Sequence, residues 1–344
     1  MQAAWYEAIG SAEGVLHVGE IDNPSPLEGE VLVEVKASGV NPSDVKTRAG
    51  ARGELQFPRI IPHSDGGGII VEVGEGVSED RVGERVWIWN GAFGRAHGTC
   101  AELIALPSSQ AVAMSEDVSY ETAACLGIPA STAYYGVFSD GSVEDKTILI
   151  TGGAGAVGYL GIQLAKWSGA NVISTVSGED KAIVAKAAGA DLVLNYKTDN
   201  VIEAVNDFTK GHGVDRILEV EFGGNLSVSE QVIKNNGVIA AYGSVAEANP
   251  SLPFYNLMFK GIKLNTYLIY IVPEQNRTAI NKGITSALSD SALSPIIAES
   301  FNLSETINAH QTLEEGSVIG NVVINILSNN ETNSSVPIYS HSLS

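Results

Sequence analysis

The chain has 344 residues and carries 40 Asp plus Glu against 20 Lys plus Arg, a formal net charge of −20. That length accommodates two domains with separate cores, while the negative charge repels phosphate backbones and anionic lipid and so argues against nucleic-acid or membrane partners. Two cysteines, Cys100 and Cys125, make neither a disulfide framework nor a zinc site. No basic segment leads into an apolar one at the N-terminus and no run reaches membrane-spanning length, so the expectation is a soluble cytoplasmic protein.

Up to about Leu106, short β-rich runs at 30–37, 68–73, 84–89 and 100–106 are punctuated by Gly and Pro, which predicts a barrel-like β domain. After Tyr120 the pattern turns to alternating strands and helices. Strands are predicted at 147–151, 171–176, 191–195, 214–220, 237–242 and 262–269, and six strands with crossover helices make a doubly wound α/β sheet. Beyond Pro273, helical stretches at 274–288 and 304–315 and an apolar run at 321–327 predict a return to the first domain. The expected domains are therefore 1–124 with 270–327, and 125–269. The Ser- and Asn-rich stretch 328–344 predicts a disordered tail.

The segment 147–158 reads Thr-Ile-Leu-Ile-Thr-Gly-Gly-Ala-Gly-Ala-Val-Gly, an apolar strand breaking into a glycine turn that opens directly into an apolar-patterned helix. That is the phosphate-binding turn of a Rossmann domain in its structural context. Gly153, Gly155 and Gly158 supply the tight turn, a bare backbone for a pyrophosphate, and close strand-to-helix packing. The helix start at Ala156 and Val157 offers unpaired N–H groups to the anion. A purely steric glycine turn, empty of ligand, is the alternative.

The domain order, with Gly39-Val-Asn-Pro-Ser-Asp44, Gly83-Glu-Arg-Val86, the glycine turn, Ala188-Gly-Ala190 and 126–134 before the first Rossmann strand, resembles the medium-chain dehydrogenase/reductase superfamily. Within it the likeness is to zeta-crystallin-like NADPH:quinone oxidoreductases, over about 1–327. The resemblance implies a GroES-like β-barrel-like domain plus a six-stranded Rossmann domain, with an active site in the cleft between them and a homodimer joined along the apolar run 264–272.

Zinc enzymes of this superfamily use a Cys, a His and a second Cys at positions that here look like Asn41 or Pro42, Ser64 and Ile128, none of them a soft ligand. His63 lies one place from the expected histidine, with no second His or Cys at ligand spacing, so it is read as a packed or solvated loop residue. The ligand set predicts no metal. Without a Lewis acid, plain alcohol oxidation is disfavoured, whereas a quinone or an α,β-unsaturated carbonyl accepts hydride with its charge delocalised.

The second Rossmann strand ends Ser174-Thr-Val-Ser177 with no acid to bind ribose hydroxyls and repel a 2′-phosphate. Ser177, Lys181 and Tyr196 match the 2′-phosphate pocket of the family, so NADPH is preferred over NADH. Ser177 also fits an S-x-x-D helix cap with Asp180, and Glu179 and Asp180 add opposing charge. The resemblance places further cofactor contacts at Gly243, Ser244, Leu268, Ile269 and Asn321, the last where the family has a Lys.

At the substrate end, Asn41 matches the family's active-site asparagine, or is simply an Asn-Pro turn residue. Thr132 matches the threonine beside the nicotinamide, or serves its own helix. Lys46 and Arg52 stand where zeta-crystallins carry pocket aromatics, which suggests a cationic entrance for acceptors with an anionic group; both side chains facing water is the plainer alternative. The expected activity is NADPH-dependent quinone reduction on a small-molecule substrate. Alternatives are an alkenal or enone reductase, and an NADPH-binding structural or sensor protein with little turnover.

Overall fold

The structure is a computed structural model that describes residues 1–326. The tail predicted to be disordered, 328–344, lies outside the described residues.

Six all-parallel strands form the nucleotide-domain sheet, in the order Leu192–Asn195, Asn171–Val176, Thr147–Thr151, Val214–Glu219, Ile233–Ala241, Lys263–Thr266. The central strands are nearly continuous apolar runs because helices cover both faces, and Ile148, Leu149 and Ile150 are essentially solvent-free. The order reverses between Thr147–Thr151 and Val214–Glu219, which opens a crevice at the carboxyl ends of those strands. The sixth strand stops at Thr266, three residues short of the expected end. Tyr267 still donates its N–H to the Ala241 carbonyl at 3.0 Å, while its hydroxyl donates to the Thr132 carbonyl at 2.9 Å and ties the end of the strand to the helix Ser131–Phe138.

A second sheet orders seven strands as Ile297–Asn302, Asn321–Asn325, Glu30–Val40, Asp65–Val73, Arg85–Ile88 and Ala111–Ala113, with Leu103–Pro107 also pairing to Glu30–Val40. The C-terminal strands thus return beside the long N-terminal one, Val322 opposite Val40. The helix Glu274–Ser289 does not belong to this sheet. It packs on Ser131–Phe138, and Gly283 permits the approach, since a Cβ there would sit 2.0 Å from the Tyr134 ring. The return to the first sheet therefore begins only at Ile297.

Gly39 lets the long strand pack against the segment that leads into the nucleotide domain, because its backbone runs so close to the Ala124 carbonyl that an added Cβ would lie 2.0 Å from that oxygen. Among the described residues, no helix is long and apolar enough to cross a membrane.

Candidate active site

The glycine turn is held by Gly153 N–H donating to the Thr175 carbonyl at 3.1 Å and Gly155 N–H to the Gly152 carbonyl at 2.9 Å. Cβ atoms at Gly153 and Gly158 would lie 1.9 Å from Ser174 Oγ and 2.3 Å from the Gly152 carbonyl, so neither position admits a side chain. At Gly155 the nearest atom would be 3.4 Å away, leaving the space above the turn open. Gly155 is the N-cap of the helix Ala156–Trp167 and has no side-chain cap, so the first-turn N–H groups of Ala156, Val157 and Gly158 point outward.

Ser177 ends the second strand half-buried, and its hydroxyl has no hydrogen-bond partner among the described residues. The capping pattern with Asp180 does not form, because Gly178 takes the N-cap position of the helix Glu179–Ala187. Lys181 lies half-buried in that helix's first turn and Tyr196, 55 % exposed, follows the third strand with its N–H on the Val176 carbonyl. These three side chains border the tip of the second strand.

Across the switch point, Gly243 approaches the Val220 carbonyl closely and Ser244 accepts a hydrogen bond from Gly223 N–H at 2.9 Å. Leu268 is exposed, while Ile269 is buried in the core cluster between the domains. Asn321 is committed to structure, its amide donating to the Ile296 carbonyl at 2.9 Å.

Two acids that sequence reading did not single out organise this crevice. Glu219 is fully buried and accepts from Thr151 Oγ1 at 2.7 Å, Glu221 N–H at 2.8 Å and Asn225 Nδ2 at 2.9 Å, tying the first and fourth strands together beneath the turn. Glu221 accepts the N–H groups of Val245 and Ala246 at 2.7 and 3.0 Å, which fixes the loop after the fifth strand. The only sequence signal was two acids flanking Val220, one closing the strand Val214–Glu219 and one just before the helix Phe222–Val232.

Asn41 is the N-cap of the helix Pro42–Arg48, and its backbone N–H donates to Asp44 Oδ2 at 2.8 Å. Its side-chain Nδ2 donates to the buried Asp65 at 2.8 Å. Burial pushes the Asp44 carboxyl up to about 7 and the Asp65 carboxyl well above the usual carboxylate range. Thr132 is buried in its helix, with its carbonyl holding Tyr267.

A cavity of about 380 Å³ adjoins these groups, lined in part by Ser43, Asp44, Arg52, Phe93, Arg95 and Tyr270. Ser43 Oγ and Tyr270 Oη share a hydrogen bond of 2.7 Å, and Phe93 stacks on Tyr270 with ring centroids 4.9 Å apart. Arg52 lines the cavity, while Lys46 is exposed and lies outside the lining.

His63 is the packed loop residue that the sequence allowed, but it is not solitary. It is fully buried, with Nδ1 2.9 Å from Ser38 Oγ and Nε2 2.9 Å from Nε2 of His310, a partner 247 residues away. Burial lowers both histidines, His310 to about 3, so both are neutral. No group of three or more His, Cys, Asp or Glu among the described residues could hold a metal ion.

Comparison with known proteins matches residues 27–139 to the alcohol dehydrogenase GroES-like domain and 156–282 to the zinc-binding dehydrogenase domain. Human quinone oxidoreductase is 25 % identical over 320 residues, covering 92 % of this chain and 95 % of that one. A mycobacterial protein solved in complex with NADPH superposes with a TM-score of 0.83 at 27 % identity, covering 94 % of this chain and all of the other, 100 %. The chain belongs to the quinone oxidoreductase family of medium-chain dehydrogenases/reductases. It is therefore an oxidoreductase. The chain is also similar to the 2-haloacrylate reductase of a Burkholderia species, 28 % identical over 314 residues, with 89 % of this chain and 93 % of that one covered.

Proposed function

We propose that this protein is an NADPH-dependent quinone reductase that works in the cleft between its two sheets. The observation that supports the reading most is an open, uncapped glycine turn with an acid-free second-strand tip and a free Ser177 hydroxyl, in a chain whose other domain has a cavity lined by Ser43 and Asp44 of the helix that Asn41 caps. The residues fit the cofactor: Gly153, Gly155 and Gly158 leave the room a pyrophosphate needs, and Ser177, Lys181 and Tyr196 stand ready for a 2′-phosphate. When bound, NADPH supplies the hydride that, with one proton from solvent, converts a quinone to the hydroquinone and leaves NADP+.

The chain's own contribution is positioning and polarisation. One Asn41 N–H is taken by Asp65, and the amide's second N–H remains to orient the nicotinamide ribose or the acceptor oxygen. The Ser43–Tyr270 hydroxyl pair lines the cavity and holds a proton that can hydrogen-bond a developing oxyanion, while burial keeps the Tyr270 phenol protonated at neutral pH. Gly243, Ser244, Leu268 and Thr132 belong to the cofactor side of the same reading. Ile269 and Asn321 support it from the core and from the last strand.

The sixth strand, Lys263–Thr266, is an edge, and Phe254, Tyr255, Phe259 and Ile271 around it are each at least 65 % exposed. Such an apolar edge seeks a partner, and a homodimer joined there completes the assembly; a monomeric mass by light scattering at micromolar concentration would contradict it. Both cysteines are buried and free, in keeping with a cytoplasmic setting.

Reduction of a conjugated C=C bond is the second reading, favoured by the 2-haloacrylate reductase relative. The deciding experiment follows NADPH and NADH oxidation against an ortho-quinone, a para-quinone and a 2-alkenal. NADPH-dependent quinone turnover is expected. Turnover of the alkenal alone moves the assignment to ene reduction, and tight NADPH binding with no turnover of any acceptor replaces it with a binding protein.

A further inference from the structure

The sequence contains eight arginines. Five of them, Arg48, Arg59, Arg81, Arg85 and Arg216, pair with a carboxylate. Arg52, Arg95 and Arg277 form no ion pair among the described residues, in a chain where acids outnumber bases two to one. Two of these three, Arg52 and Arg95, line the same cavity.

Arg95 is fixed rather than wandering. Its Nη2 donates to the Asn90 carbonyl at 2.9 Å and to Gln110 Oε1 at 2.6 Å, both neutral acceptors, and its Nη1 is buried with no hydrogen-bond partner among the described residues. Nη1 is closed off from the cavity space, so what Arg95 offers a ligand there is a fixed positive charge on the lining. Arg52 places its Cζ 5.9 Å from the centroid of the Tyr270 ring, at the open side of the cavity. Phe93 and Tyr270, stacked with an interplanar angle of 27°, line the same cavity and give it an apolar wall for a flat conjugated group.

The acids of this cavity are Asp44 and Glu54. Asp44 is buried, its Oδ2 is occupied by the Asn41 N–H, and burial raises it to about 7, so it carries only part of a negative charge at neutral pH. Glu54 is exposed, where solvent screens it. The cavity therefore has a cationic lining inside a protein of net charge −20, and planar guanidinium forks are suited to carboxylates.

We infer that the cavity selects acceptors that bear a carboxylate beside a flat conjugated carbonyl, with Arg52 and Arg95 as its specificity determinants. The identity of the conjugated carbonyl rests on the reductase reading above; the anion preference does not.

A matched pair separates the two. Binding of 3-benzoylpropionate and of its methyl ester, both saturated and unreactive, is measured by calorimetry on the purified protein. Turnover is measured with the corresponding unsaturated pair, 3-benzoylacrylate and its methyl ester. The acid is expected to bind at least tenfold more tightly than the ester at low salt. That ratio should fall toward one in Arg52→Ala, fall less in Arg52→Lys, and shrink as salt is raised. In Arg95→Gln, which keeps a donor for Asn90 and Gln110, it should also fall. Equal binding of acid and ester to the unaltered protein, or an equal loss for both in Arg52→Ala, overturns the inference. Selective binding of the acid without turnover of either acrylate upholds the anion site and removes the ene-reduction reading, while loss of the reductase reading as a whole would show as no turnover of the quinones either.

Discussion

Asn41 Nδ2 donates to Asp65 Oδ2 across 2.8 Å, joining the cap of one helix to the first residue of the strand that pairs with Glu30–Val40. The contact fixes the Asn41 amide on Asp65, one turn from Ser43 and Asp44 of the cavity lining. What it needs from Asp65 is an acceptor, since burial holds that carboxyl well above its ordinary range. Asp65→Asn keeps an acceptor of the same shape and should leave kcat/KM within about threefold of the starting enzyme. Asp65→Ala orphans a buried donor, which costs about 1–3 kcal/mol, and should lower kcat/KM at least tenfold. Denaturant unfolding and steady-state rates on both variants provide the check. Equal damage from the two would show that the negative charge, not the acceptor, is required.

The glycine turn separates steric from functional glycine. Gly153→Ala places a methyl 1.9 Å from Ser174 Oγ and should destabilise the fold itself. Gly155→Ala meets nothing closer than 3.4 Å, so thermal stability should hold while NADPH affinity falls at least tenfold, because the methyl intrudes where the pyrophosphate approaches. Discrimination against NADH resides at the second-strand tip. Removing both Ser177 and Lys181 side chains should cut the NADPH-to-NADH ratio of kcat/KM by about tenfold or more, charge-assisted hydrogen bonds contributing about 1.5–3 kcal/mol each. A ratio unchanged in the double variant would place the 2′-phosphate elsewhere.

Much of this was legible in the chain. The strands Thr147–Thr151 and Asn171–Val176 fall where their apolar runs begin and end, and the order of the six strands follows from crossover chirality and the position of the glycine turn. The residues that were not legible share a physical cause. His63 looked solitary because its partner, His310, lies at the far end of the sequence and reaches it only after the C-terminal strands return to the first sheet. Arg95 has no motif around it, and its role depends on a cavity assembled from four separate segments. Lys46 and Arg52 looked equivalent by alignment, yet one faces solvent outside the lining and the other lines the cavity. Glu219 shows a limit of another kind, since a fully buried acid at a strand end is indistinguishable in sequence from the exposed acids that begin a helix.

The buried histidines and the buried aspartates make opposite demands on pH. His63 and His310 are both lowered by burial, His310 to about 3. Unfolded histidines take up protons near pH 6.5 while the folded ones do not, so the stability they confer is present above about 6.5 and is lost as pH falls toward 3. Asp44, raised to about 7, and Asp65, raised further, act the other way. Their folded forms hold protons that the unfolded chain releases above about 4, so the stability linked to them is greatest below that pH and is lost as pH rises through about 7 for Asp44. Between pH 4.5 and 6.5 the two contributions oppose each other, each group being linked to at most about 1.4 kcal/mol per pH unit. The unaltered protein should therefore show a shallow dependence of unfolding midpoint on pH in that window. His310→Gln removes one acid-destabilising site and should tilt the profile toward greater stability at pH 4.5. Asp44→Asn removes an opposing site and should tilt it toward acid lability. Midpoints in urea at pH 4.5, 5.5, 6.5 and 7.5 for the three proteins measure both tilts. Parallel profiles would mean that neither the histidine pair nor Asp44 changes protonation on unfolding, and that their burial in the folded chain is compensated in full.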